Sequence, residues 1–318
     1  MESLAPSPDE RETRFHAPPV PLTADGCPRR VGVEVEFIGL PVRAAVDALA
    51  AAFGGLVREE DAHAWHLEES AVGDLTVELD VQHVHPHRSQ KHPLPRLSPP
   101  ASARLGSALS PFVPRELITA PLRLDELHLV DHAIGVLQQA GARGRGITPF
   151  GALGLHFNIA LPDLGPQTLA RLFKAFLVLE PQLRDETYRD VVTRFFAPPV
   201  YPPAYVEKVL SPDYWPDEDM LAEDYLADNP TRRRSLDLLP LLLHRDPEGI
   251  APRLTDKVGK REVLHYRLPL ACVGEPGWSV AADWNRWVTV ERLAADPAEL
   301  DAACRRALAG SPLLATEA

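Results

Sequence analysis

The feature that most constrains this chain is a set of stretches in which apolar and ionisable residues alternate with period two. Side chains on a strand point to opposite faces in turn, so residues two apart share a face. In Val31-Gly32-Val33-Glu34-Val35-Glu36-Phe37 the large apolar residues take one face and both glutamates the other. Gly154-Leu155-His156-Phe157-Asn158-Ile159 repeats the design, with His156 and Asn158 on its polar side. Val263-Leu264-His265-Tyr266-Arg267-Leu268 does so with His265 and Arg267, and Asp74-Leu75-Thr76-Val77-Glu78-Leu79-Asp80 with Thr76, Glu78 and Asp80. Glu116 opens a further strand at Arg115–Ala120, which Pro121 ends. Strands of this kind predict an antiparallel sheet with one buried face and one wet face.

A wet face needs no function to be polar, and Thr76, Glu78 and Asp80 fit an ordinary solvated strand as well as they fit a site. Glu34 and Glu36 fit it less well. Two carboxylates side by side repel, and are tolerated in water or where cations sit between them. They also follow Gly32, a residue that permits close approach. Read from the residues, they are candidate ligands of a hard cation. His156, between Gly154 and Asn158, reads equally as a structural histidine or as part of the same site.

Between the strands, apolar spacing predicts helices over about 42–53, ended by Gly54-Gly55, over 123–140, and from about 166 to 192 with a kink at Pro181. A hairpin is expected from 62–68 and 74–82, a short helix over 235–243 interrupted at Pro240, a strand over 261–273 and a helix over 297–308. Strands and helices mix without regular βαβ alternation, so the expected class is α+β, a mostly antiparallel sheet with helices on one face. Prolines number 33 in 318 residues, about twice the usual share of roughly 5%, and predict long connections. Residues 1–29 read as a proline-rich arm or tail on a single domain spanning 30–318, with insertions at about 83–114 and 196–232. The second insertion is the candidate lid.

An apolar share of 45% and a charged share of 25% suit a large core. No run approaches the roughly 18 apolar residues of a membrane span. A net charge of −12 argues against a nucleic-acid groove or an anionic membrane surface as partner. Cys27, Cys272 and Cys304 show no C-x-x-C spacing and read as reduced thiols. The first fifteen residues carry acidic groups and no apolar core of a secretory signal, so the expected location is cytoplasmic. No G-x-x-x-x-G-K-[ST] phosphate loop and no G-x-S-x-G elbow occurs.

Taken in order, Gly32-Val-Glu34-Val-Glu36-Phe37, Trp65 with Glu68-Glu69-Ser70, Glu116-Leu-Ile-Thr-Ala-Pro121, Gly154-Leu-His156-Phe-Asn158 and His265-Tyr-Arg267 resemble the amidoligase family of the carboxylate–amine ligase superfamily, alongside glutamine synthetase and glutamate–cysteine ligase. The resemblance implies a curved sheet like the glutamine synthetase catalytic domain, ATP and Mg²⁺ (Mn²⁺ an alternative) on its concave side, and small-molecule or peptide carboxylate and amine substrates. It implies metal ligation by Glu34, Glu36, Glu116 and His156, with His156 and Arg267 at the transferred phosphate. Nucleotide contacts would fall to Arg267, Lys257, Arg253 and His265, and substrate contacts to Asn158 and to Glu69 or Glu68. Two positions depart from the family's pattern. Its E-F-R glutamate is His265 here, and its second histidine in G-x-H-x-H is Asn158. His265 can still ligate a metal, but the loss of a negative charge softens a preference for Mg²⁺.

Two other classes stay open: a non-catalytic binding or scaffold protein on the same fold, for which His265 is the best support, and a metal-dependent hydrolase using His83, His85, His87 and His92. Arg232-Arg233-Arg234 reads as a solvated turn. Trp278, Trp284 and Trp287 read as core before substrate or partner contacts. The sequence fixes neither the acid, the amine nor the oligomeric state.

Overall fold

The computed structural model describes residues 14–88, 97–144, 147–148, 151–254 and 256–310. The alternating stretches form the middle of an open, nine-stranded antiparallel sheet in an α+β fold. Its strands are β1 (Arg30–Phe37), β2 (Leu56–Asp61), β3 (Ala64–Glu68), β4 (Leu75–Leu79), β5 (Arg115–Thr119), β6 (Leu122–Arg123), β9 (Leu155–Ala160), β10 (Leu236–Asp237) and β11 (Val263–Tyr266); β7 (Ile147–Thr148) and β8 (Gly151–Ala152) form a separate hairpin. The order across the sheet is β10-β11-β9-β1-β5-β4-β3-β2, with β6 pairing to the start of β1. The glutamate-bearing strand therefore sits inside the sheet, flanked by the histidine strand on one side and the Glu116 strand on the other.

One face is dry. Val31, Val33, Val35 and Phe37 of β1, Leu155, Phe157 and Ile159 of β9, and Val77 and Leu117 are fully buried. Helix Val42–Phe53 covers β3 and β4 with Ala45, Val46 and Leu49, spaced three and four apart on its inner stripe. Gly55, at φ +97°, closes the turn after it: a Cβ there would lie 2.6 Å from the Glu68 carbonyl oxygen, so glycine is required. Helices Pro166–Thr187 and Val280–Ala295 cover β9 and β11, where Phe176 packs against Tyr266, Trp284 against Phe157 and Trp287 against Tyr266. Trp284 and Trp287 are fully buried core residues. Truncating either to alanine removes packing worth about 3–5 kcal/mol.

Several expectations are corrected. Strand β2 lies within 55–61, a stretch given no element by its sequence pattern, and pairs with β3 on the outer edge. The 83–114 insertion contains helix Pro99–Leu109, whose two prolines occupy the first helical turn, where their missing N–H groups cost nothing. Pro240 likewise starts helix Leu239–Arg245, preceded by β10, instead of interrupting one. The last strand stops at Tyr266, and 16-residue helix Val280–Ala295 follows it. The 196–232 segment carries helices Pro203–Leu210 and Glu218–Asp228, whose Tyr205 and Tyr225 pack with Tyr201 on Phe173. Most of it is core. The described part of the arm, from residue 14, is tied down: His16 bonds to Trp284 and Asn285, and Arg29 is buried against Glu291. No helix among the described residues is long and apolar enough to cross a membrane.

Candidate active site

The register arranges the polar face in rungs. Glu78, Glu116 and Glu36 stand opposite one another across β4, β5 and β1. Thr76, Ile118, Glu34 and His156 form the next rung, and Gly32, Asn158, His265 and Asp237 the one beyond. Directly opposed residues have Cβ atoms about 4.5–5.5 Å apart. Sheet pairing alone thus assembles a cluster of carboxylates and imidazoles.

Glu34 is its hinge. Its Oε1 accepts from Asn158 Nδ2 at 2.8 Å and from Arg261 at 3.3 Å, which leaves Oε2 facing His156 Nδ1 at 3.3 Å and His265 Nε2 at 4.0 Å. Asn158 Oδ1 accepts from His265 Nδ1 at 2.8 Å and from Arg261 at 3.1 Å. Both ends of the Asn158 amide therefore help to position its neighbours. The two positions that depart from the family pattern, 158 and 265, are direct partners across β9 and β11. Glu36 accepts from the Gly154 N–H at 2.9 Å.

Gly154 is required where Gly32 is not. A Cβ at 154 would lie 2.2 Å from His156 Nε2, whereas one at 32 meets Asn158 at an ordinary 3.4 Å. Gly154→Ala should therefore push the imaginary clash onto the His156 ring and leave the strand in place. We expect near-wild-type thermal unfolding with activity down about 100-fold, the scale of an ångström of misplacement. Unchanged activity would show that the ring position is immaterial.

Electrostatics divide the carboxylates. Burial opposes ionisation of Glu34, but His265, His156 and Arg261 outweigh it and hold the carboxyl well below its ordinary range. Glu36 is pushed up to about 8, by burial first and then by Asp80. Burial and the charge of Glu34 push Glu116 well above the usual range, and burial raises Asp237 to about 6. Burial also lowers His156 and, with Arg267, His265, so both rings are neutral at pH 7. Crowded carboxyls that hold protons only for lack of a counter-charge are the electrostatic signature of a cation site.

The sign of the pH effect follows. Glu36 binds its proton more tightly folded than unfolded, so its contribution is complete below the ordinary carboxylate range and is lost as pH rises to about 8. The lowered histidines act in the opposite direction, but that effect is spent by about pH 7, above the ordinary imidazole value. Between pH 7 and 8 the chelated protein should lose about 1 kcal/mol of stability through Glu36. Thermal unfolding in EDTA measures this, and added divalent cation should flatten the slope. A flat profile in EDTA would contradict the assignment.

A cleft of about 440 Å³ opens over this face. Glu36, His156 and Arg267 line its floor, Arg232 and Arg233 its rim, and Phe195–Pro199 with Leu270 an apolar wall. Both ends of the candidate lid, 196–199 and Arg232, reach the site. Burial and nearby Arg232 lower Arg267, and its Nε is buried without a hydrogen-bond partner. Lys257 stands near Arg88 and Arg232.

Other candidates lie elsewhere. Arg253 pairs with Glu223 in a separate depression lined by Glu218 and Arg245. Glu68 pairs with Arg58 on the outer hairpin, and Glu69 lies in the exposed turn beyond β3. Trp65 packs under Arg43 on the helix side. Glu78, left open from its pattern, joins the rung and is bound bidentately by Arg88, which also grips Glu60. Asp80 remains solvent-accessible beside it. His85 spends both ring nitrogens on Asp61 and the Leu79 carbonyl, so it has no lone pair for zinc; His92 lies outside the described residues. Arg261, Arg232, Arg233 and Asp237 went unrecognised, since loops and a two-residue strand bring them in.

A family model described as "putative amidoligase enzyme" matches residues 27–289. No curated protein and no solved structure matches the chain.

Proposed function

This chain belongs to the putative amidoligase family, and we propose that it joins a carboxylate to an amine at the expense of ATP, with Mg²⁺ as the cation. The observation that carries this reading is one cleft in which the buried Glu36 carboxyl lies with Arg267, whose buried Nε has no hydrogen-bond partner, and with Arg232 and Arg233. Glu36 and Glu116, oxygen donors on one rung, have the chemistry to hold Mg²⁺. Arg267, with a buried donor unused and two more arginines across the cleft, suits an anion of high charge such as a triphosphate.

Bound ATP with Mg²⁺ would supply activation of the acid as an acyl phosphate. The chain's own share is positioning and charge neutralisation. Arg267 meets charge on the transferred phosphoryl group from the floor, and Arg232 and Arg233 meet it from the rim. Gly154 N–H and Asn158 fix Glu36 and Glu34 in place. The apolar wall from Phe195 to Pro199 limits water, which would otherwise hydrolyse the activated acid.

Conversion of ATP to ADP, screened against pools of amino acids and short peptides, tests the reading. The expected result is ADP and phosphate formed in step with a new amide. Arg267→Gln should lower the rate about 100- to 1,000-fold, the scale of one lost preorganised electrostatic partner. Nucleotide hydrolysis with no amide product, from every pool, would contradict the proposal.

A further inference from the structure

We infer that Glu34, His156 and His265 form a site for a divalent transition metal, with Zn²⁺ favoured over Mg²⁺. One carboxylate oxygen and one nitrogen from each ring all lie within 4.8 Å of one another, and among the described residues no other group of His, Cys, Asp or Glu side chains does so. A tetrahedral ion with bonds near 2.1 Å needs its ligands roughly 3.4 Å apart. Small side-chain rotations close the gap.

The hydrogen bonds prepare these atoms for a metal. Asn158 donates to Glu34 through Nδ2, which makes its Oδ1 the end that faces His265. That oxygen can only accept, so His265 Nδ1 carries the proton and Nε2 keeps its lone pair. Nε2 is buried without a partner in a residue only 1% exposed, and it faces Glu34 Oε2. A buried acceptor left unmatched costs free energy that a Lewis acid would recover. Asn158 thus serves as the outer partner that orients both a ligating imidazole and a ligating carboxylate.

The donor set decides which metal. Mg²⁺ asks for near-octahedral oxygen ligands, and two neutral imidazoles with one carboxylate oxygen do not fit it. The same set suits Zn²⁺ and its neighbours. The hard-cation site proposed for ligation rests instead on Glu36 and Glu116. The two ions would therefore occupy adjacent rungs and differ in kind.

Direct binding tests this without reference to turnover. Full-length chelated protein, titrated calorimetrically with Zn²⁺ and separately with Mg²⁺, should take up one Zn²⁺ per chain at least 100-fold more tightly than Mg²⁺. His265→Gln should weaken Zn²⁺ at least 100-fold, and Asn158→Leu about 10- to 100-fold. His265→Glu should shift preference toward Mg²⁺. Should these variants not fold, Co²⁺ added to the wild-type protein should give the intense visible absorption of a four-coordinate nitrogen-ligated ion. Equal affinity for Mg²⁺, Zn²⁺ uptake indifferent to His265→Gln, or an octahedral Co²⁺ spectrum would each overturn the inference. Zn²⁺ binding without amide formation would remove the ligase reading alone.

Discussion

Replacing Glu36 with glutamine is expected to abolish Mg²⁺-dependent ATP turnover, by about 1,000-fold or more, while making the chelated protein more stable at pH 8. The opposite signs share one cause. Glu36 is buried opposite Glu116 and near Asp80, so its carboxyl keeps its proton up to about pH 8 when no cation is bound. Glutamine copies that protonated form and can still accept from the Gly154 N–H. It therefore removes the repulsion along with the charge that would hold a cation. Sites strained for function commonly trade stability in this way. Steady-state ADP release and thermal unfolding in EDTA give the two readouts. Turnover that survives the substitution would remove Glu36 from the metal site.

A large loss of stability is expected on replacing Arg29. Its guanidinium makes paired bonds of 2.7 Å to both oxygens of Glu291, and also reaches the carbonyls of Val20 and Ala160. Glu291 in turn accepts from Trp287 Nε1 at 2.7 Å. The residues before β1, the end of β9 and helix Val280–Ala295 are thereby tied at one buried point. Arg29→Met leaves the Glu291 charge buried with one remaining donor, a loss of about 3–5 kcal/mol. Adding Glu291→Leu should recover most of it, because a buried ion pair replaced whole is often near neutral. Urea unfolding of the two variants decides the matter. A single variant within about 1 kcal/mol of wild type would show that the pair is slack.

Period-two alternation made the heart of this molecule legible. It placed Glu34 and Glu36 on one face and His156, His265 and Arg267 on the same face of other strands, because strand geometry allows nothing else. It could not say that positions 158 and 265 face each other, since register is a property of two strands. Strand β2 went unseen because Leu56–Asp61 is largely charged and has no buried residue, as suits an edge strand. Helix Val280–Ala295 hid for the opposite reason: its tryptophans and valines are buried on much of its circumference and leave little polar stripe. Proline misled at Pro99 and Pro240, where it begins helices. Arg253 and Lys257 read alike in the sequence, but only Lys257 stands near the cleft arginines. Arg232 and Arg233 reach the cleft because their turn is held by Asp256 and the Lys257 carbonyl, contacts that no local pattern announces.

Nucleotide binding is the shortest route to the central claim, that one cleft sets a carboxylate floor against cationic groups. Calorimetric titration of a non-hydrolysable ATP analogue with Mg²⁺ should show one site per chain, weakened by at least 10-fold in Arg267→Gln. No heat at millimolar analogue, or binding untouched by that substitution, would contradict the account and leave the fold as a scaffold for something else.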